Sequence, residues 1–305
     1  MDGSPTSVKI TSTGLVAAAR KLAGILFLLV SIGLLLLNGA FETPLIWNAL
    51  CPVTFGIGLV LLRVSRPLTI AWLAYVTGFL LFIKLRLYAD DVAPRDALFE
   101  YVVQADRNLF GGELPTLLLQ DRFYELGSPT WWILTLVAVY VSYAIVPHLI
   151  AWVIAARKSL EDFWRYIAAS MICYYSAVAV AVVAPTAPPW LAGQSGYIRH
   201  VYRVTYDVIV GARPETYDGV YPIVDGNSVA AMPSLHMAIA VISACGVHML
   251  WRRAGALGVT YAILMGLALV ALGEHYVIDI LAGVLLAAVA WRLSASSALR
   301  PDLSS

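Results

Sequence analysis

Met232-Pro-Ser-Leu-His-Met-Ala-Ile-Ala-Val-Ile-Ser-Ala-Cys-Gly-Val-His-Met-Leu-Trp251 holds no Asp, Glu, Lys or Arg, and it opens on Pro233, Ser234 and His236. A helix needs about 20 mostly apolar residues to cross the hydrocarbon core of a bilayer, so this stretch reads as a membrane span. Pro233 suits the first turn of that helix, where its missing N–H would have had no partner. Working outward, seven further runs qualify: 22–41, 44–62, 67–87, 131–154, 166–186, 254–272 and 275–292. The eight runs take up just over half of the 305 residues. Open sheet edges go unsatisfied in lipid, so the fold class is all-α, a polytopic membrane helix bundle of about eight transmembrane helices.

Composition agrees. The chain is 60% apolar and 13% charged, against about 45–50% and 25% in soluble domains, which excludes a soluble protein. A net charge of +1 is too balanced for a nucleic-acid partner or a basic membrane-surface arm. Cys51, Cys173 and Cys245 are an odd count without paired spacing, so they read as buried thiols rather than a disulfide or zinc framework.

Short cytoplasmic connections hold the excess of Lys and Arg. With the N-terminus inside, the inner segments carry Lys9, Arg20, Lys21, Arg63, Arg66, Arg157, Lys158, Arg165, Arg252, Arg253, Arg292 and Arg300. The outer side receives two longer segments, 88–130 and 187–231, with six Arg and no Lys. Both termini are then cytoplasmic. The amphipathic stretch Leu109–Gln120 is too short to cross and is expected to lie along the outer interface. The basic start leads into a full-length apolar run, which argues against a cleaved signal peptide.

Two of the five histidines fall at outer helix ends in this topology, His236 opening the sixth span and His275 the eighth. His148, His200 and His248 are expected to be structural or incidental. Free N–H groups at a helix start, together with the Ser234 hydroxyl, can hold an anion such as phosphate, with His236 beside it as a proton donor. In Gly273-Glu-His-Tyr-Val-Ile-Asp279, His275 and Asp279 are four apart and share one helix face. The carboxylate can then accept the proton of one ring nitrogen and leave the other as nucleophile or base. An ionisable residue within a span marks a functional site by default. Imidazole and carboxylate at this spacing also suit zinc, with Glu274 and His236 as the further ligands at hand. A metal-free site with no cofactor is preferred.

Pro233-Ser-Leu-His236 and His275-x-x-x-Asp279, in this order near the C-terminus, resemble the type 2 phosphatidic acid phosphatase superfamily. Leu235, Ala184-Pro-Thr-Ala-Pro-Pro-Trp190 and Leu109-Phe-Gly-Gly-Glu-Leu-Pro-Thr116 are similar to its branch of inositol phosphorylceramide synthases (aureobasidin-resistance protein-like inositolphosphotransferases) and their bacterial relatives. The resemblance spans roughly 67–292 and implies a six-helix catalytic core there, with 1–66 an N-terminal tail and two extra spans, and 293–305 a cytoplasmic tail. It implies that His275 is the nucleophile, that Asp279 orients it and that His236 protonates the leaving alkoxide. The superfamily's usual basic motif is absent before Pro185, and Ala268-Leu269 replace its Ser-Arg pair. Phosphate still needs positive charge, so Lys84, Arg86, Arg199 and Arg203 join Ser234 as candidate phosphate-binding residues.

The expectation is a multi-pass cell-membrane lipid phosphotransferase with an extracytoplasmic site. It moves a phosphoryl or phosphoinositol-type group from a lipid donor to an alcohol acceptor through a phosphohistidine. A lipid or polyprenyl phosphate phosphatase, with water as acceptor, is the alternative. A transporter or channel ranks third, because the middles of the spans are mostly Leu, Val, Ala and Ile.

Overall fold

The computed structural model describes residues 66–89, 91–94, 96–211 and 227–295. The spans expected at 22–41 and 44–62 lie outside the described residues, as does most of the tail at 293–305. Among the described residues the chain forms eleven α-helices and no strand. They are α1 (Arg66–Leu87), α2 (Glu100–Leu109), α3 (Pro115–Phe123), α4 (Trp131–Ser142), α5 (Val146–Arg157), α6 (Leu160–Val183), α7 (Pro189–Gln194), α8 (Val204–Val210), α9 (Leu235–Leu250), α10 (Gly255–Ala271) and α11 (Val277–Leu293).

Pro67–Leu87, Leu160–Val183 and Arg252–Ala271 are each long and apolar enough to cross a membrane, and α4 with α5 makes a fourth if that bent pair is one span. The run 131–154 is therefore not one straight helix: α4 and α5 meet at 51°. Pro147 explains the break. It has no N–H and its ring crowds the carbonyl four residues back, so the chain turns at Tyr143–Ile145 and restarts with Pro147 in the first turn of α5. Helix α9 is shorter than a full span, at 16 residues.

Helix α9 packs against α5, α6, α10 and α11, while α1 lies on α6 and α4 on α10. The main core joins Trp72, Tyr75 and Phe79 of α1, Phe163 and Tyr174 of α6, and Ile239 and Ile242 of α9. Between membrane helices such side chains stabilise by close van der Waals packing rather than by leaving water, because lipid tails are as apolar as they are. His148 belongs to this core. It is buried, shares a 2.8 Å hydrogen bond with the Tyr75 hydroxyl and meets the Phe79 ring edge-on.

The segments between the long helices form a roof over the end where α6 finishes and α9 begins. They have their own apolar cluster, including Val102, Leu114, Trp190, Val201 and Tyr276. Thr186 laces three segments together through single parallel bridges to Leu98 and Ala230. The stretch Leu109–Gln120 is not one amphipathic element: α2 ends at Leu109, Gly111 and Gly112 turn with φ of 65° and 99°, and Pro115 opens α3.

Candidate active site

Helix α10 ends in a Schellman motif. Gly273, at φ 81°, donates to the Val270 carbonyl, and Glu274 N–H reaches back to Leu269 at 3.0 Å. Gly is required twice over, because a Cβ here would stand 2.6 Å from the Tyr202 carbonyl oxygen. The chain then leaves the helix and presents Glu274 and His275 before Tyr276 caps α11. His275 thus precedes the helix that the sequence assigned it to. Asp279, at the third position of α11, folds back and accepts the Tyr276 N–H at 2.9 Å. This brings its Oδ2 within 3.5 Å of His275 Nδ1, an ion-pair distance longer than a hydrogen bond. Both groups are buried. Catalytic hydrogen bonds are often this long before substrate arrives.

Helix α9 starts one residue after Ser234, whose Oγ accepts the Met237 N–H. Pro233 therefore precedes the cap rather than occupying the first turn. Ser234 is fully buried and its N–H donates to the Asp279 carbonyl at 3.0 Å. Its hydroxyl is occupied as a helix cap instead of facing the cavity. Gly283 allows this approach of α9 and α11, since a Cβ there would lie 2.4 Å from the Ser234 carbonyl oxygen. The result is that His236 and His275 face each other with ring centroids 5.7 Å apart. Tyr140 and Tyr143 hold the other side of the His236 ring, at 4.8 and 4.4 Å.

Both imidazoles line one cavity, with room for about 60 Å³. Its walls include Phe82, Ile83 and Leu87 of α1, Tyr140 and Tyr143, and the polar residues Arg86, Arg203, Asn227 and Glu274. Of the expected cations, Arg86 and Arg203 reach this cavity, whereas Lys84 and Arg199 do not. Positions 82, 83, 86 and 87 share one face of α1, and Lys84 is exposed on another. Arg199 pairs with Asp121 at the surface. Arg203 is buried: Nε and Nη2 grip Glu274 at 3.1 and 3.2 Å, and the guanidinium lies over Trp190 and Tyr206. Thr205 donates its hydroxyl to the same carboxylate. Ala268 and Leu269 are fully buried; Ala268 packs with Ile133 and Leu136, and the Leu269 carbonyl accepts the His275 N–H at 3.1 Å. Among the described residues no group of three or more His, Cys, Asp and Glu comes together in a metal-binding arrangement.

Sequence reasoning missed Asp106. It is fully buried on α2, and its two oxygens accept the Val277 and Ile278 N–H groups at 2.9 Å each. These are two of the four orphan donors at the start of α11. Burial raises its carboxyl above the usual range, and the two amides pull it back. The available signal was its place beside Val102 and Val103 on the buried face of an otherwise polar helix. Gln120 was missed in the same way. Its side-chain amide donates to the Tyr202 and Ala271 carbonyls and accepts from Tyr202 N–H, which fixes the segment behind Gly273.

A protein-family model described as the PAP2 superfamily matches residues 119–293, more than half of the chain. No curated protein and no solved structure matches it.

Proposed function

The chain belongs to the PAP2 superfamily, and from that premise we propose that it is a metal-independent lipid phosphotransferase that works through a phosphohistidine at His275. The observation that carries this reading is the pair of facing imidazoles, 5.7 Å apart on one cavity, with a buried carboxylate behind His275.

Asp279, 3.5 Å from His275 Nδ1 before substrate arrives, accepts the Nδ1 proton as the site tightens, which leaves Nε2 as the nucleophile. Attack at phosphorus forms an N–P bond and breaks the bond to the leaving oxygen. His236 gives that oxygen a proton and so becomes the base for the second half. It then takes the proton of an incoming alcohol, whose oxygen displaces Nε2 and restores free His275. Arg86 and Arg203 lend positive charge to the phosphoryl oxygens as the transition state forms. The apolar wall from α1 suits the hydrocarbon of a lipid donor.

The finer reading is the inositol phosphorylceramide synthase-like branch, with a phosphoinositol-type group passing to an alcohol. Residues 67–292 form the catalytic core in this account, in a multi-pass cell-membrane protein with cytoplasmic termini and an extracytoplasmic site. The same three residues serve a phosphatase if water is the acceptor. Purified protein given lipid labelled at phosphorus, with and without inositol, separates the two. The transferase reading requires label in an alcohol-bearing product that depends on inositol. Inorganic phosphate released at the same rate in both arms would assign the phosphatase.

A further inference from the structure

We propose that the groove between α10 and α11 is a binding site for one anionic phospholipid of the leaflet opposite the candidate active site. Its phosphate is held by Arg165 and Arg252, and one acyl chain lies along α9. The groove is open along one side and has room for about 730 Å³. Its floor is Met237, Val241 and Ala244 of α9, and its rims are Val259 and Ile263 of α10 and Val284 of α11. The three rim residues are exposed among the described residues. From Met237 to Arg252 the chain rises roughly 22 Å, more than the roughly 15 Å depth of one leaflet's hydrocarbon, so an entire acyl chain fits along it.

The polar groups collect at one end, where α6 begins and α9 stops. Arg165, His248, Arg252 and a single acid, Asp162, line that mouth. Asp162 is engaged by the hydroxyl of Ser159, the α6 cap. Arg165 lies 4.4 Å over the Trp291 ring, and its Nε has no hydrogen-bond partner among the described residues. Two guanidinium forks against one occupied carboxylate leave the mouth net positive, and Trp291, near the end of α11, is the kind of side chain that meets headgroups at a membrane interface. A basic pocket between membrane helices on the basic side of a protein is the arrangement that holds anionic headgroups, and the guanidinium plane matches phosphate oxygens in pairs. The bound lipid is not the substrate. Gly283 seats α11 directly on the start of α9, and His236 turns toward Tyr140 and Tyr143, away from the groove.

Trp291 supplies the readout. The full chain is reconstituted in phosphatidylcholine vesicles containing increasing fractions of brominated-acyl phosphatidylglycerol or brominated-acyl phosphatidylcholine. Subtracting the signal of a Trp291→Phe variant isolates quenching of that ring. The expected result is half-maximal quenching at an anionic-lipid fraction lower by on the order of tenfold than for phosphatidylcholine, the scale set by two basic side chains at a lipid surface. An Arg165→Gln/Arg252→Gln double variant is expected to lose the preference. So is Ile263→Phe, which keeps both charges and narrows the path of the chain. Equal quenching by both lipids in the unaltered protein would overturn the proposal, as would a preference that survives in both variants. A disulfide between Ile263→Cys and Cys51 would also overturn it, by assigning the groove to the chain's own N-terminal segment.

Discussion

Asp106 lies 171 positions before Val277, yet it caps the helix that follows His275. Removing its carboxylate leaves two part-buried N–H groups without acceptors, at up to about 1–3 kcal/mol each. Asp106→Ala is therefore expected to lower the thermal unfolding midpoint in detergent and to reduce turnover by loosening the start of α11. Its folded pKa is raised by burial, so the folded state holds this proton to higher pH than the unfolded chain does. Stability from this group is full below the ordinary carboxylate value and declines as pH rises through the raised one. Unfolding of Asp106→Asn, which lacks this titration, should show a flatter profile across the acid range. Of the proposed catalytic groups, His236→Gln is expected to lower kcat by about 10²–10⁴, the usual worth of a positioned acid or base. The spacing from His275 to Asp279 was legible because both partners sit in one short motif. The buried Arg203–Glu274 pair joins residues 71 apart, and no local pattern announces a contact of that range. Ser234 was legible as a polar group at a helix start, but whether its hydroxyl serves the helix or a ligand depends on where the chain turns.

Two glycines set the geometry between elements. Gly273 ends α10 so that His275 emerges beside the cavity, and Gly283 lets α11 rest against Ser234 at the start of α9. A methyl group at Gly283 must push the two helices apart, because the atom it meets is backbone. Displacing a reacting group by about 1 Å can cost on the order of 10²-fold in rate. Gly283→Ala is thus expected to lower kcat by roughly that factor, with the helical circular dichroism of the protein retained; an unchanged kcat would separate the helix approach from the chemistry. The stop of α10 follows from Gly273 and the start of α11 from the Asp279 cap. The break between α4 and α5 carried a signal in Pro147, but hydropathy averaged over 131–154 concealed it. The turn at Gly111 and Gly112 was concealed in the same way inside an amphipathic pattern.

At the scale of the whole molecule, apolar runs of span length located α1 and α10 to within a residue and α6 to within six, because the bilayer imposes its requirement on every residue of a span. The segments between the long helices gave less warning. Their roof is held by single bridges at Thr186 and by a small apolar cluster, contacts that composition does not encode. The proposed sidedness rests on the basic residues and can be measured. In a background lacking native cysteines, Ser128→Cys should react with an impermeant maleimide from outside intact cells, and Lys158→Cys only in inverted vesicles. Reaction of both from one face would overturn the assigned topology. The central claim is covalent chemistry between two imidazoles on the roofed cavity, and trapping the intermediate tests it most directly. Protein turning over lipid labelled at phosphorus is quenched in alkali, where N-phosphates survive, and its peptides are sequenced by mass spectrometry. The account predicts label on His275, formed and discharged more slowly in His236→Gln and absent in His275→Ala together with turnover. Sustained turnover by His275→Ala, or label on another residue, would contradict it.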